Sequence, residues 1–149
     1  LVDDPAHLAA AADALARLPL PVVLAAHPRT SAALRTARIC VAPHVHVVPP
    51  LGYFEAVAVA RDAAVVVTDS GGLQREAYWL GTPCVTVRSE TEWAETVALG
   101  ANVLVNTDAL EMLAPVVGRV VASTRLTWDR GMYGDGSAAA RVATALRTL

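Results

Sequence analysis

The stretch "VVVTDSGGLQREA", residues 65–77, decides the fold. Three valines and a threonine, all β-branched, make a run of strand length. An acid, a serine and two glycines follow, and then a segment of helical composition. A buried strand that turns through glycine into a helix is the repeating unit of a parallel α/β sheet. The same alternation extends outward on both sides. Helices are expected at residues 4–18, 30–38, 53–61, 73–80, 92–99, 109–122 and 137–147, and strands at 21–27, 45–50, 63–69, 83–88 and 102–106. Asp3 or Asp4 can cap the first helix, with Pro5 in its first turn and Leu8, Ala12, Leu15 and Leu18 on one face. Pro49 and Pro50 stop the second strand, and Gly81 and Gly100 end two of the helices. The strands are continuously apolar, as strands covered on both faces are. The expected fold class is therefore α/β, a Rossmann-like parallel sheet with helices on both faces, built as one domain over residues 1–149.

The chain of 149 residues can hold one sizeable core. Although 54% of it is hydrophobic, Asp, Arg or Pro interrupts every apolar run before it could span a bilayer. The start, "LVDDPAHLAAAADALARLPLP", opens with acids and has neither signal-peptide nor transit-peptide character. A net charge of −2 without a basic block argues against a nucleic-acid surface. All twelve basic residues are Arg, which reads as coding bias. Cys40 and Cys84 lie far apart in apolar contexts, so two buried, unpaired thiols in a reducing, cytoplasmic setting are expected. No His, Cys and Asp cluster has metal-ligand spacing, and His44 and His46, near a strand start, read as structural.

Ligands of open α/β sheets bind beyond the carboxyl ends of the strands. The turn at 69–72 is one such end. Gly71 and Gly72 let a backbone approach a ligand closely, the helix start favours an anion, and Ser70 adds a hydroxyl. Glu76 stands one turn further on. Two readings remain open on pattern alone: a phosphate-type cradle with Glu76 beside it, or an ordinary strand–helix turn with Glu76 as a surface acid. There is no Walker lysine and no G-x-G-x-x-G. At the next strand end, "VRSETEWAET" offers Arg88 to a phosphate or to an ion pair with Glu90, Glu92 or Glu95. Ser89 and Glu92 also fit a capping box for a helix from about residue 90. At the first strand end, "HPRT" places His27 and Arg29 either at an anionic ligand or in a solvated loop capped by Thr30.

Taken in order, "HPRT" (27–30), "PPLGYFE" (49–55), "DSGGLQREA" (69–77), "LGTP" (80–83), "VRSETEWAE" (87–95), "GANVLV" (100–105) and "YGDGSAAARV" (133–142) resemble the non-hydrolysing UDP-N-acetylglucosamine 2-epimerases. "QREAYWLGTPC" with "TEW" looks more like the branch acting on UDP-2,3-diacetamido-glucuronate, or like archaeal relatives. The resemblance implies the C-terminal, nucleotide-holding half of a GT-B-like two-domain enzyme. That enzyme inverts C2 of the hexosamine by anti elimination and syn re-addition of UDP, without a cofactor. It implies that Ser70, Gly71 and Gly72 contact the diphosphate and that Glu76 binds the ribose hydroxyls. Leu51 to Phe54 would lie by the uracil, Arg88 and Glu92 would support the phosphate loop, and His27 and Arg29 would face the cleft. The implied partners are a UDP-sugar, an N-terminal domain and a second copy in a homodimer. The implied setting is cell-surface polysaccharide precursor supply.

Two features depart from the family. Many members have Arg after "TE", where this chain has Trp93. The acid/base carboxylates and the "HRxEN" segment are not in the chain, so a fragment, truncated gene product or regulatory domain is expected, inactive alone. In strand order 3-2-1-4-5-6 the strand carrying "HRxEN" is central. The first and third strands of this chain are then expected not to pair with each other. A glycosyltransferase-type UDP-sugar domain and a non-catalytic nucleotide-sugar domain are the alternatives.

Overall fold

The computed structural model describes residues 4–123, 128–129 and 131–147. Five strands and seven α-helices follow in the order α1 (Pro5–Ala16), β1 (Val22–Ala25), α2 (Pro28–Thr36), β2 (Val45–Val48), α3 (Tyr53–Asp62), β3 (Val66–Thr68), α4 (Gly71–Leu80), β4 (Cys84–Val87), α5 (Ala94–Ala98), β5 (Asn102–Val105), a 3-10 turn (Thr107–Met112), α6 (Leu113–Ala122) and α7 (Ala138–Arg147). Asp4 caps α1, its carboxylate accepting the Ala6 N–H at 2.8 Å; Asp3 lies outside the described residues. The α2 helix starts earlier than expected. Proline fits the first helical position because its missing N–H would be unpaired there, and His27 caps in place of Thr30, with Nδ1 accepting the Arg29 N–H at 3.2 Å.

Among the described residues every strand pair is parallel, but the ladders are two. β1 pairs with β2, from Val22 opposite Val45 to Ala25 opposite Val48, and the other ladder runs β3-β4-β5. No ladder joins β1 to β3 among the described residues. β4 is the centre of the core. Its Val85 and Val87 face α1 and α6 through Ala14, Leu18, Leu113, Val116, Val117 and Val120. Its Cys84 faces α3 and α4 through Ala60 and Ala77. Both faces of the three-stranded sheet are thus covered by helices. Each Val or Leu buried there contributes roughly 1.5–3 kcal/mol. The two-stranded ladder is barer, with Val23 53% and Val47 39% exposed.

Two expectations are corrected. The predicted helix at 109–122 is split, because Pro115 has no N–H for the carbonyl of residue 111. A 3-10 turn capped by Asn106 leads into α6 instead. The thiols are unpaired, but Cys40 is exposed, since it lies in the irregular connection between α2 and β2 and not in a covered strand; Cys84, in β4, is buried. No helix among the described residues is long and apolar enough to cross a membrane.

Candidate functional site

Ser70 is the N-cap of α4, between β3 and the glycine pair. Its Oγ accepts the Leu73 N–H at a long 3.5 Å, and its own N–H donates to Thr68 Oγ1 at 3.0 Å. The hydroxyl proton is left to donate outward. The N–H groups of Gly71 and Gly72 belong to the first turn and have no intrahelical acceptor. A serine hydroxyl and these N–H groups at the positive end of a ten-residue helix form an exposed cluster of donors. Glu76 follows on the same helix, half-buried and without an ion pair among the described residues.

The segment after β4 folds over Gly71. Arg88 Nη1 donates to Glu92 Oε2 at 2.8 Å, which identifies the acid that pairs with it. A Cβ on Gly71 would overlap the Glu92 carboxylate and lie 3.8 Å from Arg88 Nη1, so a larger residue there would displace the Glu92 side chain from its place beside the turn. The expected Ser89–Glu92 capping box does not form. Glu92 is taken by Arg88, Thr91 Oγ1 captures the Trp93 N–H at 3.1 Å, and α5 begins only at Ala94.

A buried polar network fixes this arrangement. Gln74, with no exposed surface, donates through Nε2 to the Ser70 carbonyl at 3.3 Å. Its Oε1 accepts from Thr91 Oγ1 at 2.5 Å and from Asn102 Nδ2 at 3.2 Å. Asn102 accepts from Thr86 Oγ1 at 2.8 Å, and Thr96 Oγ1 donates to the Trp93 carbonyl at 2.7 Å. One side chain of α4 therefore links its own N-cap to the neighbouring loop and to β5. None of these residues carries a charge, so a motif search for acids, bases and ligands passes over them. The usable signal is positional. Gln74 shares a helix face with Ala77 and Tyr78, and an amide on a core-facing stripe requires buried partners.

Aromatic rings enclose the outer side of the loop. The Arg75 guanidinium lies 4.8 Å from the ring centroids of both Trp79 and Trp93. Tyr133 meets Tyr78, Trp79 and Trp93 edge-on at 5.7–5.8 Å. Its Oη is buried without a hydrogen-bond partner. Burial pushes this phenol above its ordinary range, and the Glu95 carboxylate pushes the same way. Tyr78 Oη donates to the Asp129 carbonyl at 2.9 Å and accepts the Asp129 N–H at 2.8 Å, anchoring the segment that carries Tyr133.

The remaining predicted residues stand at the end of the other ladder. His27 and Arg29 are exposed at the head of α2. Leu51 is half-buried before α3, and Phe54 is 85% exposed, edge-on to Tyr53 at 5.6 Å. Glu55 Oε2 accepts the Gly52 N–H at 2.9 Å and ties down this turn. A hollow of about 290 Å³ opens between Ala26, Pro28 and Ser31 on one side and Val47 to Pro50 on the other.

A family model described as UDP-N-acetylglucosamine 2-epimerase matches residues 1–147. A UDP-2,3-diacetamido-2,3-dideoxy-D-glucuronate 2-epimerase of Pseudomonas aeruginosa is 39% identical over 150 residues, covering 99% of this chain and 41% of that protein. A UDP-N-acetylglucosamine 2-epimerase homolog of Methanococcus maripaludis is 33% identical over 86% of this chain and 36% of its own length. The crystal structure of the Methanocaldococcus jannaschii UDP-GlcNAc 2-epimerase in complex with UDP-GlcNAc and UDP superposes with a TM-score of 0.85 at 29% identity, over 99% of this chain and 42% of that one. The chain thus spans about two fifths of the length of the relatives it matches most fully.

Proposed function

The chain belongs to the UDP-N-acetylglucosamine 2-epimerase family, and from that premise we propose that it is the UDP-holding part of a UDP-sugar 2-epimerase. The observation that carries this reading is the head of α4. Ser70, Gly71 and Gly72 offer donors at the positive end of the helix, backed by a loop that holds Arg88 beside them. In the proposed reaction the C2 proton leaves as UDP departs from C1, and both return with C2 inverted. The diphosphate gains charge as it leaves, and fixed donors are worth most where charge develops. This cradle supplies that support, Glu76 accepts the ribose hydroxyls, and the turn from Leu51 to Phe54 borders the uracil. His27 and Arg29 face the sugar side of the cleft. The acid and base for C2 come from the other part of the protein.

The same reading places a strand between β1 and β3. The missing ladder between these strands supports it, since a bare sheet edge leaves N–H and C=O groups without partners. The exposed Val142 and Leu146 of α7 and Val23 of β1 are apolar surfaces for the remainder of the enzyme to cover. Cytoplasmic residence accords with a nucleotide-sugar substrate.

Calorimetry with UDP tests the cradle. The chain is expected to bind UDP, and Ser70→Ala and Glu76→Ala each to weaken it by about tenfold, the value of one hydrogen bond to a charged or diol partner. Equal binding by all three proteins would remove the site assignment. Adding a family N-terminal half and following C2 proton exchange by NMR tests the reaction itself.

A further inference from the structure

We propose that Trp93 is a positioning residue for the diphosphate cradle, acting through the Gly71–Gly72 peptide; the inference rests on the reading of α4 as that cradle. The Trp93 indole Nε1–H donates to the Gly71 carbonyl at 2.7 Å, a side chain to backbone bond across 22 positions of sequence. The Gly71 carbonyl and the Gly72 N–H belong to one planar trans peptide and point in opposite directions. The helix already points this carbonyl along its axis; the indole bond from the loop side adds a second hold on the same peptide, and so steadies the Gly72 N–H that faces out of the helix end toward the anion. This matters because Gly72 has no side chain to restrict its backbone and every L-residue φ/ψ region is open to it.

The indole is itself held on every side. Its ring stacks on Arg75, which stacks in turn on Trp79, and Tyr133 meets it edge-on at 5.8 Å. Its backbone N–H is bound by Thr91 and its carbonyl by Thr96, so the backbone that carries the ring is tied to the loop that Gln74 holds. An arginine at position 93 could donate to the same carbonyl but could not share this stack with Arg75 without bringing two cations together. Tryptophan supplies the donor without the charge.

The test compares Trp93→Phe, which removes the donor and keeps a ring, with Tyr133→Phe, which alters the surrounding ring and no donor to Gly71. Calorimetry with UDP is expected to show about a tenfold loss for Trp93→Phe and wild-type affinity for Tyr133→Phe. In the unliganded proteins the Gly72 amide resonance moves in Trp93→Phe and stays in place in Tyr133→Phe. A loss that arose through the contact with Tyr133 alone would appear in both variants. Wild-type UDP affinity in Trp93→Phe, or equal losses in both variants, overturns the proposal while leaving the cradle intact. A wild-type chain that binds no UDP overturns the cradle and this inference with it. Should Trp93→Phe fail to fold, hydrogen exchange on the wild type decides. The Trp93 indole N–H must exchange more slowly than that of Trp79, whose side chain is largely exposed, and equal rates overturn the proposal.

Discussion

Replacing Gln74 by Met isolates the energetic value of the network beneath the cradle. Methionine keeps the length and apolar stem of glutamine but neither amide atom. Ser70 loses little, because its carbonyl also accepts the Gln74 backbone N–H at 3.3 Å. Thr91 is only partly buried and can turn its hydroxyl toward water, so it loses one ordinary bond, about 1 kcal/mol. Asn102 is the expensive partner. It is 2% exposed, and without Gln74 its amide N–H₂ retains only the 3.4 Å bond to Thr96 Oγ1. A buried donor left in that state costs roughly 1–3 kcal/mol. The sum is about 2–4 kcal/mol, which at roughly 2–4 °C per kcal/mol lowers the thermal midpoint by about 10 °C. Urea denaturation followed by far-UV circular dichroism measures it through the midpoint, with the slope expected to be unchanged. Asn102→Leu in the same background should cost less than in the wild type, because the amide it removes has already lost its Gln74 partner; a coupling of about 1–2 kcal/mol is expected. A Gln74→Met protein within about 0.5 kcal/mol of wild type, the range of ordinary surface changes, would refute the argument. So would strict additivity with Asn102→Leu.

Burial pushes the Cys84 thiol up to about 11 from an ordinary 9.0. An acid whose folded pKa is raised stabilises fully below its unfolded pKa and loses that contribution as pH climbs to the folded value. The wild type should therefore lose roughly 2–3 kcal/mol relative to Cys84→Ala between pH 9 and 11, read as converging urea midpoints; parallel midpoints would count against it. Cys40, being exposed, should react with a thiol reagent in the folded state, and Cys84 only on unfolding. Gly81 ends α4 with φ 77° and open space where a Cβ would stand, so Gly81→Ala should cost about 1 kcal/mol from backbone strain alone. Gly71→Ala displaces Glu92 from Arg88, a half-exposed pair worth less than about 1 kcal/mol; UDP affinity should fall far more than thermal stability does.

The alternation of strands and helices, and the placing of Ser70, Gly71 and Gly72 at the head of α4, were legible in the local sequence. The reason is that both depend on neighbours within a few positions. An apolar run of β-branched residues followed by a small, cap-competent turn has few other conformations. Element ends were less legible where a single atom decided them, as with Pro115 splitting the last predicted helix and His27 capping α2 in place of Thr30. Trp93 was visible only as a departure after "TE", and Gln74 only as a letter within a motif. What each does depends on partners 17 to 28 positions away, Thr91, Asn102 and Gly71, that only the packing of β4, β5 and α4 brings within hydrogen-bond reach. Local sequence was enough to gather donors at a strand end; the fold supplied the side chains that brace them, because Gln74 and Trp93 reach their partners only once β4, β5 and α4 pack together.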